Sequence, residues 1–152
     1  GVRLVGSAMC IRDRGIGDQK SYNRPLENVL ELGSGKTAKG ITAGDRHTCV
    51  MLDNSSIKCW GLNDSGQVGQ GDTINRGDGI GCNPNNLPSI DLGSGKTARA
   101  ISAGDRHTCA ILDNSSIKCW GANASGQLGL GHTNNRGDNS SEMGDNLPVI
   151  SL

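Results

Sequence analysis

One block of this sequence occurs twice, almost unchanged, at a fixed spacing. Residues 44–49 (GDRHTC) return as residues 104–109, an offset of 60 residues. Two further segments repeat at the same offset: 32–38 as 92–98, and 57–61 as 117–121. A fixed period of this length is typical of solenoids and propellers, in which one unit recurs and neighbouring units bury each other's apolar faces. The sequence therefore constrains the architecture more than the function.

The composition favours short strands joined by tight turns. The 152 residues include 24 Gly but no Phe, one Tyr and two Trp. Frequent Gly among short apolar runs suits strands better than helices. The formal net charge is zero, so charge gives no argument for binding nucleic acid or an anionic membrane surface. No apolar stretch approaches the roughly 18 residues of a membrane-spanning helix, and we predict no membrane span.

Each repeat is predicted to form three to four short strands, of which the second and third form a hairpin around the turn 53–56 (DNSS). The expected strands are 39–43, 47–52 and 57–60, and again 99–103, 107–112 and 117–120. Both faces of the hairpin are largely apolar, as expected of a sheet packed between two neighbours. We therefore predict an all-β fold, a partial β-propeller forming an arc of about two to three blades of short antiparallel strands.

A longer motif makes a family resemblance specific. Residues 43–69 and 103–129 both carry Ala-Gly-x-x-His-Thr-x-x-x-Leu, a turn, and then Trp-Gly-x-Asn-x-x-Gly-Gln-x-Gly. This motif resembles the repeat of the regulator of chromosome condensation family, and the resemblance extends over residues 26–152. It implies a seven-bladed β-propeller. Because two repeats cannot close such a ring, and at least three are normally needed for independent stability, we expect this chain to be an arc of a larger protein.

The repeats also divide the chain. We assign residues 33–92 to repeat 1 and residues 93–152 to repeat 2. Residues 15–32 are interpreted as the end of a preceding repeat. The neighbouring blades of the full-length protein are then the first partners that we expect for the two repeats.

The N-terminal residues do not fit the repeat. Residues 4–14 (LVGSAMCIRDR) resemble the translation of a transposase adapter used in sequencing libraries, from which only Ala8 departs. We interpret residues 1–14 as a non-native tail and the chain as a metagenomic fragment whose upstream sequence is missing. Cys10 would then not belong to the natural protein. A genuine N-terminal segment is the alternative.

Two pairs of cysteines recur with the repeat. Cys49 and Cys59 lie ten residues apart on strands predicted to face each other, and Cys109 and Cys119 repeat this spacing. A three-residue turn centred on Asn54 would place the two thiols of a pair opposite each other, within disulfide reach. We predict the disulfides Cys49–Cys59 and Cys109–Cys119, each stabilising by about 2.5 to 3 kcal/mol.

Disulfides would place the protein in an oxidising compartment. We therefore expect an extracellular or cell-surface location. Small buried thiols in a reduced protein are the alternative interpretation of the four cysteines. Cys82 has no counterpart, because Glu142 stands at the equivalent position, and we predict that it is an unpaired loop thiol.

Neither a metal nor a cofactor is predicted. His47 with Cys49 and Cys59 offers only three zinc ligands, at a spacing unlike the usual short knuckle. His47 and His107 are instead expected to hydrogen-bond within their own blades. The segment 33–37 (GSGKT) lacks the first glycine of a phosphate-binding loop, and no helix is predicted after it.

Two kinds of short motif accompany the turns. The tripeptides 76–78 and 136–138 (RGD) match the cell-adhesion motif, although Gly and Asp are common in any turn. Five sequons for N-glycosylation begin at Asn54, Asn63, Asn114, Asn123 and Asn139. The sequons would matter only in a eukaryotic secretory host.

No catalytic constellation is discernible, and we predict that the chain is not an enzyme. The leading hypothesis is a non-catalytic scaffold that binds another protein, or a surface glycan, through its blade loops. The copies differ most between 79–86 and 139–146, where specificity is expected to lie.

The resemblance implies an alternative, a guanine nucleotide exchange factor-like propeller that binds a GTPase and chromatin. Paired cysteines and neutral charge weaken this alternative. A catalytic domain elsewhere in the gene is a third possibility.

Overall fold

The structure is a computed structural model that describes residues 32–77 and 86–150. In these ranges the chain forms six β-strands and a short 3-10 helix at Gly144–Asn146, with no α-helix. The strands are β1 (Ala38–Ala43), β2 (His47–Leu52), β3 (Ile57–Gly61), β4 (Ala98–Ala103), β5 (His107–Leu112) and β6 (Ile117–Gly121). The predicted all-β class is confirmed, and each predicted strand boundary is within one residue of the observed one.

Some predictions concern residues outside the described ranges. These are the non-native tail 1–14, most of the preceding-repeat segment 15–32, the unpaired thiol of Cys82 and most of the loop 79–86. They stay predictions, as do the boundaries of the two repeats.

Each repeat folds as a three-stranded antiparallel meander, ordered β1–β2–β3 in repeat 1 and β4–β5–β6 in repeat 2. The β2–β3 hairpin turns around Asn54, whose side-chain oxygen accepts hydrogen bonds from the Ser56 backbone N–H at 3.2 Å and hydroxyl at 2.7 Å. Ser55 has a positive φ of 63°, which such a turn demands. Asn114 and Ser116 make the same two bonds at the same distances in repeat 2. Identical turn chemistry therefore gives the two hairpins the same register.

The end of each repeat adds a single ladder bond instead of a full fourth strand. The Ile90 N–H donates to the Ile57 carbonyl at 2.8 Å, and the Ile150 N–H donates to the Ile117 carbonyl at 2.8 Å. Proline stands two residues earlier in both copies and cannot donate to a ladder. Each blade therefore has three strands and a short edge.

The core lies between the two sheets. One face of β2 and β3 meets one face of β5 and β6 in a single buried cluster, which includes Cys49, Met51, Ile57, Cys59, Val68, Ile90, Leu92, Ala98, Ala110, Leu112, Trp120 and Leu147. The other face of repeat 1 forms a second cluster around Val50, Leu52 and Trp60. Burial of both faces of a sheet is the packing of a propeller blade. No helix within the described ranges is long and apolar enough to cross a membrane.

Candidate functional site at the seam between the repeats

The cysteine pairs occupy the positions that the sequence predicts. Cys49 lies opposite Cys59 in the β2–β3 register, and Cys109 lies opposite Cys119 in the β5–β6 register. The structure has both pairs at bonding distance, with Cα atoms 4.1 Å apart in each. That separation is inside the limit of about 7 Å beyond which a bond needs backbone movement. Both pairs are therefore placed for a disulfide across their own hairpin.

The two pairs differ in their surroundings. Cys49 and Cys59 are 0% and 1% exposed, because repeat 2 covers them. Cys109 is only half-buried, and Cys119 is 3% exposed. The first pair therefore lies inside the seam, which is the buried interface between one face of β2–β3 and one face of β5–β6. The second pair lies on the outer face of repeat 2.

A main-chain carbonyl of repeat 1 joins the seam. The Gln67 carbonyl accepts the Thr108 hydroxyl hydrogen at 3.0 Å and the Trp120 indole N–H at 3.2 Å. All three residues are buried. A Cβ on Gly66 would collide with the backbone of Gly137 and Asp138. The Gly-Gln-x-Gly segment of one repeat thus packs against the tryptophan and the following loop of the next repeat.

His47 completes this seam. Its Nε2 lies 2.9 Å from the Thr108 hydroxyl. Because the Gln67 carbonyl can only accept, the Thr108 hydrogen points there and Nε2 of His47 is the donor. Its Nδ1 is buried and has no hydrogen-bond partner among the described residues. Burial, followed by the nearby His107, lowers the pKa of His47. The prediction that His47 bonds within its own blade is therefore wrong, since its partner belongs to the neighbouring repeat.

Further polar contacts fix the edges of the seam. The Ala103 N–H donates to the Thr42 hydroxyl at 2.9 Å, and the Asp45 N–H donates to the Asp105 carbonyl at 3.1 Å. Arg106 pairs with Asp64. The seam therefore combines an apolar cluster with the buried hydrogen bonds of Thr108 and with further polar contacts at its edges.

The long loop after each hairpin is organised by a buried asparagine. Asn63 is 0% exposed, its side-chain oxygen accepts the Val68 N–H at 2.8 Å, and its amide donates to the Asp72 carbonyl at 2.7 Å. Asn123 is equally buried, accepts the Leu128 N–H at 3.0 Å and donates to the His132 carbonyl at 2.8 Å. These two sequons therefore serve the fold, whereas those at Asn54, Asn114 and Asn139 lie on exposed residues.

The RGD tripeptide of repeat 2 is folded into its loop. The Arg136 guanidinium lies 3.1 Å from Glu142, and the Gly137 N–H donates to Glu142 at 3.0 Å. One carboxyl oxygen of Asp138 is buried. An adhesive tripeptide needs its Arg and Asp side chains free, so these contacts favour the turn interpretation of 136–138 over the adhesive one. Asp78 of the other copy lies outside the described residues.

A polar groove opens beside the seam. Its volume is about 410 Å³, and its lining comes from both repeats: Gly69, Gln70, Gly71, Ser89, Asp91, Ser140, Ser141, Met143 and Asn146. Four of these residues belong to the segment 139–146, one of the two segments in which the copies differ most. The other wall was not predicted from the sequence, because Gln70, Ser89 and Asp91 flank the repeated motif and carry no motif of their own. Comparing the two copies pointed only to the variable wall.

Stacked three-stranded meanders with a variable loop at their seam define a blade pair of a β-propeller. The chain belongs to the family of the regulator of chromosome condensation (RCC1) repeat: one family profile matches residues 38–67 and 98–127, and a second matches residues 59–111. Together the matches run without a gap from residue 38 to residue 127. The resemblance inferred from the sequence is therefore confirmed.

Two curated proteins are similar to this chain in sequence. The chain is 30% identical over 122 residues to the ultraviolet-B receptor UVR8 of Arabidopsis thaliana, covering 80% of this chain and 26% of that protein. It is 32% identical over 102 residues to the protein RCC2 homolog of Xenopus laevis, covering 65% of this chain and 18% of that protein. The chain thus spans about a quarter or less of these relatives.

A solved structure confirms the fold. Prp20p from Saccharomyces cerevisiae, whose binding properties to Gsp1p and histones have been described, superposes with a TM-score of 0.57 at 18% identity. The match covers 81% of this chain and 27% of Prp20p. At this identity the likeness establishes a partial propeller and nothing about partners.

Proposed function

We propose that this chain is a repeat scaffold that binds another protein in the groove beside the seam. The observation that carries the proposal is the origin of the groove walls. One wall comes from the loops that follow the strands of repeat 1, and the other comes from the segment 139–146, in which the copies diverge. A rigid frame that presents a variable loop is the usual way in which a scaffold acquires a specific ligand.

The chemistry of the groove favours binding over catalysis. Asp91 is the single titratable side chain among its lining residues, whereas acid–base or nucleophilic catalysis needs at least two cooperating groups. Serine hydroxyls and the amides of Gln70 and Asn146 donate and accept hydrogen bonds, and Met143 adds a flexible apolar surface. This mixture suits a peptide segment of a protein partner. We therefore propose a non-catalytic role.

The outer face of repeat 2 is proposed to bind a further repeat. Gln67 and Met51 are buried in the seam, at 1% and 6% exposure. Their counterparts Gln127 and Ile111 are exposed, Ile111 at 41%. Because the outer face repeats the chemistry of the seam, its fitting occupant is another blade that presents a threonine and a tryptophan.

The location outside the cytoplasm is also a proposal. It is supported by the two cysteine pairs at bonding distance, since such pairs persist in oxidising compartments. The exchange-factor alternative is supported by family membership and by Prp20p, which binds Gsp1p and histones. Among the described residues, no basic side chain lines the groove, so the groove gives no support to the exchange-factor alternative.

A peptide-display selection on the immobilised chain tests the groove. Enriched peptides are expected to bind the purified chain and to lose at least about tenfold in affinity to Ser89→Trp, which fills the groove. Ile74→Arg is the matched control, because Ile74 is 65% exposed and does not line the groove. Equal loss in both variants, or binding only to an array of surface glycans, would overturn the protein-binding proposal.

A further inference from the structure

Lys118 is a buried lysine that joins the two walls of the groove from behind. It lies on β6 and is 5% exposed. Its Nζ donates to the Leu92 carbonyl at 3.0 Å and to the Gly144 carbonyl at 2.7 Å. Leu92 directly follows Asp91, which lines the groove on the side of repeat 1. Gly144 directly follows Met143 in the variable wall, the segment 139–146. One side-chain nitrogen therefore bonds both walls.

The two walls also touch each other where Lys118 holds them. The Gly144 N–H donates to the Asp91 carbonyl at 3.1 Å, and a Cβ on Gly144 would come within 2.4 Å of an Asp91 carboxyl oxygen. The Asp145 carboxylate accepts the Ser94 N–H at 2.9 Å and the Ser94 hydroxyl hydrogen at 2.6 Å. Burial lowers the pKa of Lys118, whereas the nearby Asp145 and Asp91 favour its charged form. The C-terminal end of the variable wall is thus docked on residues 91–94.

The other end of the variable wall is held by Glu142. One of its carboxyl oxygens accepts the Gly137 N–H at 3.0 Å and the Asn139 N–H at 3.3 Å. Three side chains of the segment line the groove and take no part in these bonds or in those of Lys118: Ser140, Ser141 and Met143. The wall is therefore a loop that is fixed at both ends and presents other side chains to the groove.

The bonds of Lys118 do not depend on the side chains of the variable wall. Both acceptors are main-chain carbonyls, which any sequence of the segment would provide. Lys118 itself belongs to the segment 117–121, which is identical to 57–61, whereas 139–146 differs strongly from 79–86. A residue that is the same in both copies therefore holds the part in which the copies differ.

We propose that Lys118 is the positioning residue of the groove, and that its two hydrogen bonds set the spacing of the walls between which a ligand is held. Lys118 does not line the groove, so it acts on the ligand through the walls. The side chains of Ser140, Ser141 and Met143 then determine which peptide binds, because they can change without changing that spacing. The inference rests on the proposed function of the groove.

The two bonds are testable on the wild-type chain without a ligand. In protein labelled with ¹⁵N and ¹³C, NMR is expected to show couplings across hydrogen bonds from Nζ of Lys118 to the carbonyl carbons of both Leu92 and Gly144. A nitrogen that couples to neither carbonyl, or to one alone, would overturn the proposal. This measurement decides the question even if a variant of Lys118 does not fold.

Lys118→Met removes both donors and keeps an unbranched side chain. Hydrogen exchange of the Gly144 and Ser94 amides is expected to become at least about tenfold faster, because hydrogen bonds to a charged group are lost. The Val68 amide, buried in the seam, reports opening of the fold as a whole. Equal acceleration at Val68 would show that Lys118 stabilises the fold without positioning the walls.

Lys58→Met is the matched control. Lys58 stands at the same place in repeat 1, is 8% exposed and does not line the groove. This variant is expected to leave the exchange of the Gly144 and Ser94 amides unchanged relative to that of Val68. The same relative acceleration in both lysine variants would contradict a positioning role that belongs to Lys118.

A peptide selected on the groove separates this inference from the proposed function. Its affinity is expected to fall at least about tenfold in Lys118→Met and to stay unchanged in Lys58→Met. Equal affinity in wild type and Lys118→Met would overturn the positioning role and leave the proposed function intact. Failure of the wild-type chain to bind any peptide would instead count against the proposed function, while the couplings and the amide exchange still decide whether Lys118 joins the walls.

Discussion

The indole nitrogen of Trp120 lies over Gly69, where a Cβ atom would come within 2.6 Å of it. Gly69 also has a φ of 74°, in the left-handed region that favours glycine. Trp120 is fully buried, and its N–H is satisfied by the Gln67 carbonyl. Glycine is therefore required at residue 69 on two grounds, the conformation of its own backbone and the close approach of the neighbouring repeat.

The substitution Gly69→Ala should separate these two grounds when it is compared with Gly129→Ala. Gly129 has a φ of 67°, but a Cβ there would meet Ile150 at an ordinary 3.5 Å. We expect Gly129→Ala to cost about 1 to 2 kcal/mol for the backbone alone, and Gly69→Ala about 2 to 4 kcal/mol because overpacking adds to it. Urea unfolding of both variants measures the difference, and equal costs would show that the Trp120 contact does not hold the seam.

The hairpins were predictable because their determinants are local. The turn at Asn54 fixes the register, and alternation along the strands then places Cys49 opposite Cys59. The seam partner of His47 was not predictable in this way. Its hydrogen bond to Thr108 joins residues that are 61 apart in sequence, and it depends on how one blade packs on the next.

The groove, too, could be predicted from the sequence only in part. Comparison of the two copies identified the segment 139–146, because divergence within a repeat points to a variable loop. Nothing in the sequence around Gln70 or Asp91 indicates that they line a groove, since their place in it comes from facing that loop across the seam. The role of the RGD tripeptide 136–138 could not be settled from the sequence for a related reason: Glu142, which folds it into the loop, becomes its partner only in the structure.

The two cysteine pairs should differ in their rate of reduction. Thiol–disulfide exchange requires access to a sulfur atom, and Cys49 and Cys59 are buried in the seam while Cys109 is half-buried. After oxidative refolding, partial reduction followed by alkylation and peptide mass spectrometry should label Cys109 and Cys119 first. The opposite order would contradict the seam packing. If the thiols of both predicted pairs are already free before reduction, the disulfide prediction is wrong, and so is the location derived from it.

The buried asparagine of each long loop should contribute more to the free energy of unfolding than the asparagine of each hairpin turn. Asn63→Ala leaves the Val68 N–H and the Asp72 carbonyl without their partner, which costs about 2 to 3 kcal/mol for buried polar groups. Asn54→Ala removes bonds on an exposed turn, where water replaces them, and is expected to cost less than about 1 kcal/mol. Thermal or urea unfolding gives both values. A larger loss for Asn54→Ala would be inconsistent with an Asn63-centred loop.

The seam should weaken in acid through His47. Its pKa is lowered from 6.5 by burial and by His107, so the unfolded chain binds a proton more readily than the folded chain does. The stabilisation is therefore fully present above about pH 6.5 and is lost as pH falls through the folded-state pKa. Protonation at the buried Nδ1 would add a donor that has no acceptor among the described residues, which gives the physical reason for the loss.

His47→Gln tests this dependence, because a glutamine amide can still donate to the Thr108 hydroxyl but does not titrate. Urea unfolding between about pH 4 and about pH 7.5, which brackets the ordinary histidine pKa, should show a flatter stability profile for His47→Gln than for wild type. His107→Gln is the matched comparison, because it removes the smaller cause of the lowered His47 pKa and leaves the larger cause, the burial of His47, in place. Its profile should be flattened less than that of His47→Gln. If His47→Gln leaves the acid slope unchanged, or if His107→Gln flattens it equally, protonation of His47 does not control the seam.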